Sequence, residues 1–99
     1  MQTIKVMEEH CCMDRGVRYR LLLSDPITRE FVESLPNVSN VFWLEKNNLG
    51  LYRFVLEGRI TVSGIPEKTE TNVLYALHET EKAEQALEKV FPGFLQAKP

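Results

Sequence analysis

The sequence predicts an α+β fold: an antiparallel sheet of about five to six strands, in the order ββα-ββββα, with two helices covering one face. Three observations carry this reading. Between residues 38 and 64 the chain is dominated by β-branched, aromatic and aliphatic residues, with Tyr52, Phe54 and Leu56 alternating with Leu51, Arg53 and Val55. Two other stretches, 26–35 and 80–91, space their apolar residues as helices do. Finally, 99 residues, 43% of them hydrophobic, are enough for one core, so 1–99 reads as a single domain whose folding needs neither a disulfide nor a structural metal.

The elements follow in order. "TIKVMEEHCCM", "DRG" and "VRYRLLLS" predict a hairpin with strands over 3–13 and 17–23, turning at Gly16. This register sets Met13 opposite Val17, Cys12 opposite Arg18, Cys11 opposite Tyr19, His10 opposite Arg20 and Glu8 opposite Leu22. Asp25 as a cap, Pro26 at the first helical position and the Ile27, Phe31, Leu35 stripe predict a helix over 26–35. A meander follows, "VSNVFWLEK", "LYRFVLE" and "RITVSGI", with turns supplied by Asn47, Asn48 and Gly50 and then by Glu57 and Gly58. "IPEKTE" is a polar loop and 71–79 a further strand. Thr80 as a cap, followed by Ala83, Ala86, Leu87, Val90 and Phe91 on one stripe, predicts the last helix, stopped by Pro92 and Gly93. Residues 95–99 read as a frayed tail.

The densest chemistry lies in "EEHCCMDRGVRYR". Zinc suits thiolates and imidazole, but adjacent cysteines lack the two-to-four-residue separation of structural sites, and the chain has only these two. No metal site and no cofactor is therefore predicted. In the predicted hairpin Cys11 faces the core with Met7, Met13, Tyr19 and Leu21, and Glu9 is the awkward member of that row. Cys12 lies on the wetter side beside Arg18 and near His10, where a thiolate would be favoured, making it the reactive-thiol candidate.

Arg18, Arg20, Arg53 and Trp43 suggest a sheet face able to bind, and guanidinium and aromatic groups on a sheet also serve single-stranded nucleic acid. A net charge of −2 weighs against nucleic acid as the main partner. His78 beside Glu79 offers a general base if a pocket forms between the sheet and the last helix. No catalytic constellation is assembled by spacing alone, and no glycine-rich phosphate loop is present.

"GVRYRLLL", then a helix, then "SLPNVSNVFWLEKNNLGLYRFVLEG" resembles the βαββ pattern of heavy-metal-associated domains, over residues 16–58 at most. The resemblance implies α+β topology. It does not imply metal transfer, because the loop that carries that family's paired cysteines here holds Ser24, Asp25 and Pro26.

With no secretory signal, two cysteines and no apolar run of roughly 18 residues, the chain reads as a cytoplasmic, soluble protein without a membrane partner. The expected function is non-enzymatic binding through the sheet face or a strand edge, to a protein partner or to a second copy. A thiol or metal response at Cys12 and a ligand or catalytic pocket at His78 are the alternatives.

Overall fold

The computed structural model describes residues 2–9, 16–46 and 49–98, with the backbone alone at Leu49. It contains a six-stranded antiparallel sheet of β1 (Thr3–Glu9), β2 (Gly16–Leu23), β3 (Val38–Lys46), β4 (Leu49–Leu56), β5 (Ile60–Gly64) and β6 (Glu70–Ala76). Three helices accompany it: α1 (Arg29–Ser34), α2 (Thr80–Val90) and α3 (Phe94–Ala97), with a 3-10 turn at Leu77–Glu79 leading into α2. The spatial order β1-β2-β6-β5-β4-β3 places the N-terminal hairpin beside the last strand of the meander and leaves β1 and β3 as edges. The α+β class, the element order and the strand over most of 71–79 are as the sequence predicts; α3 is additional.

Alternation along each strand separates two faces. Tyr19, Leu21 and Leu23 of β2, Tyr52, Phe54 and Leu56 of β4, Ile60 and Val62 of β5, and Val73 and Tyr75 of β6 are all buried. They share one core cluster with Ile27, Val32, Ala83, Ala86, Leu87, Phe91 and Phe94, so the helical segments lie on this face. One close approach fixes the middle of the core. Tyr52 pairs with Gly64 and Gly64 with Thr71, and the Tyr52 hydroxyl crosses the glycine to donate to Thr71 Oγ1 at 2.9 Å. A Cβ at Gly64 would stand 2.5 Å from that hydroxyl, so the crossing needs glycine. Thr71 passes the bond on by donating to the Ser63 carbonyl at 3.0 Å, leaving neither buried group unsatisfied.

The hairpin register is a correction. Glu8 stands opposite Tyr19, not Leu22, a slip of three residues. Because side chains alternate, an odd slip exchanges the faces of β1. Val6 is the buried residue, opposite Leu21, while Met7 and Glu9 stand with Arg20 and Arg18 on the outer side. The predicted extension of the strand to 13 and the positions of His10, Cys11, Cys12 and Met13 lie outside the described residues.

Three local corrections have physical causes. Helix α1 begins at Arg29 rather than 26, because Thr28 Oγ1 accepts the Phe31 amide at 3.1 Å. Asp25 is engaged elsewhere: its carboxylate accepts from Ser24 Oγ, which in turn accepts the Gln2 amide. Thr80 is the first residue of α2 rather than its cap, and its hydroxyl donates back to the Leu77 carbonyl at 2.6 Å. Gly50 lies within β4 opposite Glu45, against Pro66, rather than in the turn.

The Glu57–Gly58 turn is as predicted, both residues having positive φ and Arg59 donating to the Leu56 carbonyl. The segment read as a frayed tail carries most of α3, and the amides of its N-cap Gly93 and of Leu95 donate to the Glu88 carboxylate. Thr3 bonds to the carbonyls of Phe91 and Pro92, joining the C-terminal segment to β1.

Candidate binding surface

Pairing across the sheet orders the face opposite the helices. One row runs Met7, Arg20, Asn72, Ser63, Arg53, Phe42 through all six strands. Beside it run Glu9, Arg18, Leu74, Thr61, Val55 and Ser39. Leu22 with Glu70, and Leu51 with Leu44, extend the face at its two ends. These side chains are exposed or half-buried, in contrast to the fully enclosed rows on the other side.

The face is shallowly concave. One hollow of about 580 Å³ is bounded by Phe42, Leu51, Arg53, Ser63, Ile65 and Asn72. A second of about 410 Å³ is bounded by Glu9, Arg18, Arg20, Thr61, Ser63, Asn72 and Leu74. The two hollows adjoin at Ser63 and Asn72 and are together called the trough, apolar at the β3–β4 end and rich in arginine at the β2 end. At the apolar end Phe42, Leu51, Ile65 and Leu44 are 48%, 47%, 44% and 39% exposed. At the other end Glu9 meets Arg20 at 2.6 Å. This ion pair is solvent-facing, so it positions the guanidinium more than it stabilises the fold.

Three of the four predicted surface residues, Arg18, Arg20 and Arg53, share this face. Trp43 does not. The register shifts between Ser39 and Phe42, where Asn40 has a φ of 51°, and beyond the shift Phe42 is opposite Arg53 and Trp43 opposite Tyr52. Trp43 therefore packs on the helix side, its ring 5.3 Å from that of Tyr52 and nearly parallel to it, with Nε1 donating to Glu45 at 2.9 Å. The aromatic side chain beside the arginines is Phe42. Apart from Arg53, sequence reasoning also missed the polar middle of the trough, Ser63 and Asn72, since strand alternation identifies a wet face without saying which residues align across it.

Among the described residues the remaining candidates do not assemble a reaction centre. His78 is exposed on the 3-10 turn, away from the trough. His10, Cys11 and Cys12 lie outside the described residues, and among the described residues no cluster of three His, Cys, Asp or Glu could hold a metal ion. The perturbed ionisable groups belong to the helix side. Burial pushes the Tyr52 hydroxyl up to about 12. Burial, and then a hydrogen bond to the Glu84 carboxylate at 3.0 Å, raise Tyr75 well above the usual phenol range. The same carboxylate holds Lys98 at 2.5 Å and raises its ammonium, tying the C-terminal segment to α2 and β6. Two backbone amides, of Gly93 and Leu95, lower Glu88. These groups support packing and caps.

Comparison with known proteins finds no matching family model, no matching curated protein and no matching solved structure. No helix is long and apolar enough to cross a membrane among the described residues.

Proposed function

We propose that this domain is a non-catalytic binding module that receives a polypeptide on the open face of its sheet. The observation that supports it is the position of four of the exposed large apolar side chains. Phe42, Leu44, Leu51 and Ile65 gather at one end of a concave surface on the side opposite the core, where they add nothing to the packing of the helices. Contiguous apolar surface of this kind, rimmed by polar residues, is what interaction sites expose. The face also supplies donors and acceptors for orientation in Arg53, Ser63, Asn72 and Arg20.

Site-specific photo-crosslinking tests the proposal. A benzophenone amino acid replaces Phe42 in one preparation and Gln85, on the exposed side of α2, in another, both expressed in cells. The expected result is a discrete polypeptide adduct from position 42 and none from position 85. Equal adducts from both positions, or none from position 42, would refute the role of the open face.

A further inference from the structure

We infer that the trough's occupant is an acidic polypeptide segment, extended across the strands, with apolar side chains at one end and carboxylates toward the other. This rests on the binding role proposed for the open face and adds the chemistry of the partner.

The trough is bipolar. Its β3–β4 end offers Phe42, Leu51 and Ile65, and its β2 end offers Arg18 and Arg20, with Arg53 between them. Arg20 and Arg53 stand in one cross-strand row with Asn72 and Ser63 between, three strand spacings apart, or about 14 Å. An extended chain covers that in about four residues, so carboxylates at such spacing reach both guanidiniums while the intervening backbone meets Asn72 and Ser63.

Charge separates this occupant from the others. The paired rows place Lys5, Arg18, Arg20 and Arg53 on the open face against Glu9 and Glu70, so the face is cationic although the whole chain carries −2. The acidic excess lies on the far side, much of it on the helices, including Glu30, Glu81, Glu84 and Glu88. A second copy docked face to face about the trough's midpoint would lay each apolar end on the other's arginines. Docked about the arginine end, it would oppose like charges, and docked about the apolar end it would cover Phe42 and Leu51 but leave Arg18 and Arg20 without a counter-charge. Single-stranded nucleic acid fits less well, since base stacking calls for several aromatic platforms and Phe42 is the one among the face's described residues.

The test titrates the intact protein with a fluorescein-labelled peptide of about fourteen residues, carrying Leu and Phe at one end and Glu at about every fourth position beyond them. The control has Lys in place of each Glu. The acidic peptide is expected to bind at least about tenfold more tightly than the control, to weaken as salt is raised, and to shift the amide resonances of Ser63 and Asn72. The Arg53→Glu variant, whose change falls on the surface between Ser63 and Phe42, is expected to lose at least about tenfold in affinity with an unchanged unfolding midpoint.

Equal binding of the two peptides, absence of binding, or shifts confined to α2 would overturn the assignment. So would tighter binding of oligouridylate, which would make the partner a nucleic acid. A dimer that Leu51→Glu dissociates would overturn this partner while leaving the open face as a polypeptide-binding surface. If position 42 also yields no crosslink, the binding role itself fails.

Discussion

The two faces of one strand, β4, summarise the molecule. Tyr52, Phe54 and Leu56 are fully enclosed between sheet and helices, whereas Leu51 and Arg53, one residue away in each case, face outward and are exposed. The strand therefore carries two unrelated constraints at period two. On the helix side a residue must match the volume left by its neighbours, to the point that Gly64 cannot gain a Cβ without displacing the Tyr52 hydroxyl. On the open side it must leave the fold alone, and there the chain keeps large apolar residues together with arginines. That combination is uneconomical for a bare surface and useful for a binding one.

The sharpest way to break the comparison is to truncate one residue from each side. Phe54→Ala opens a void in the core and is expected to lower the unfolding free energy by about 3–5 kcal/mol. Arg53→Ala, its immediate neighbour, is expected to change it by less than about 0.5 kcal/mol. Urea denaturation of both variants measures the difference, and similar losses would mean that the open face is part of the fold.

A second difference lies in pH. The Tyr52 hydroxyl is raised from 10.0 to about 12 by burial, and Tyr19 and Tyr75 are raised in the same direction by the same cause. Ionisation is thus easier in the unfolded chain. The associated stability is fully present below pH 10, the ordinary phenol value, and is lost as pH rises through the folded values. The expected outcome is a falling unfolding midpoint between pH 10 and 12, shallower in Tyr52→Phe, which also loses the bond to Thr71. A midpoint independent of pH in that range would contradict the enclosure of the phenols.

Much of this was legible in the sequence because it rests on local rules. The alternation in β4 identified its core and wet sides, and Gly58 after Glu57 identified a tight turn, since left-handed conformations select glycine; Glu57 shares the positive φ without being a residue that favours it. What was not legible depended on competition between equally good local solutions. Asp25 and Thr28 are both capable caps, and only the bond from Ser24 to Asp25 shows why Thr28 prevails. In the first hairpin, Met7 and Val6 are equally plausible core residues, so pattern alone fits two registers that exchange every side chain of β1, and the reading with Met7 inward was the wrong one. The observed one removes the buried Glu9 that the other required, and pairs it with Arg20. Trp43 was grouped with the arginines by residue type; a β-bulge at Asn40 sets its face, and Asn40 is the main sign of that bulge in the sequence.

The central claim is that the open face's apolar residues serve binding and not folding. Equilibrium denaturation of Phe42→Thr/Leu44→Thr/Leu51→Thr, which keeps β-branched residues on β3 and β4, tests it most directly. The account predicts a cooperative transition within about 1 kcal/mol of the parent chain, the span expected for surface changes that leave the core intact. A loss of about 3 kcal/mol or more, the size of a core truncation, would show that these side chains hold the fold together and would contradict it.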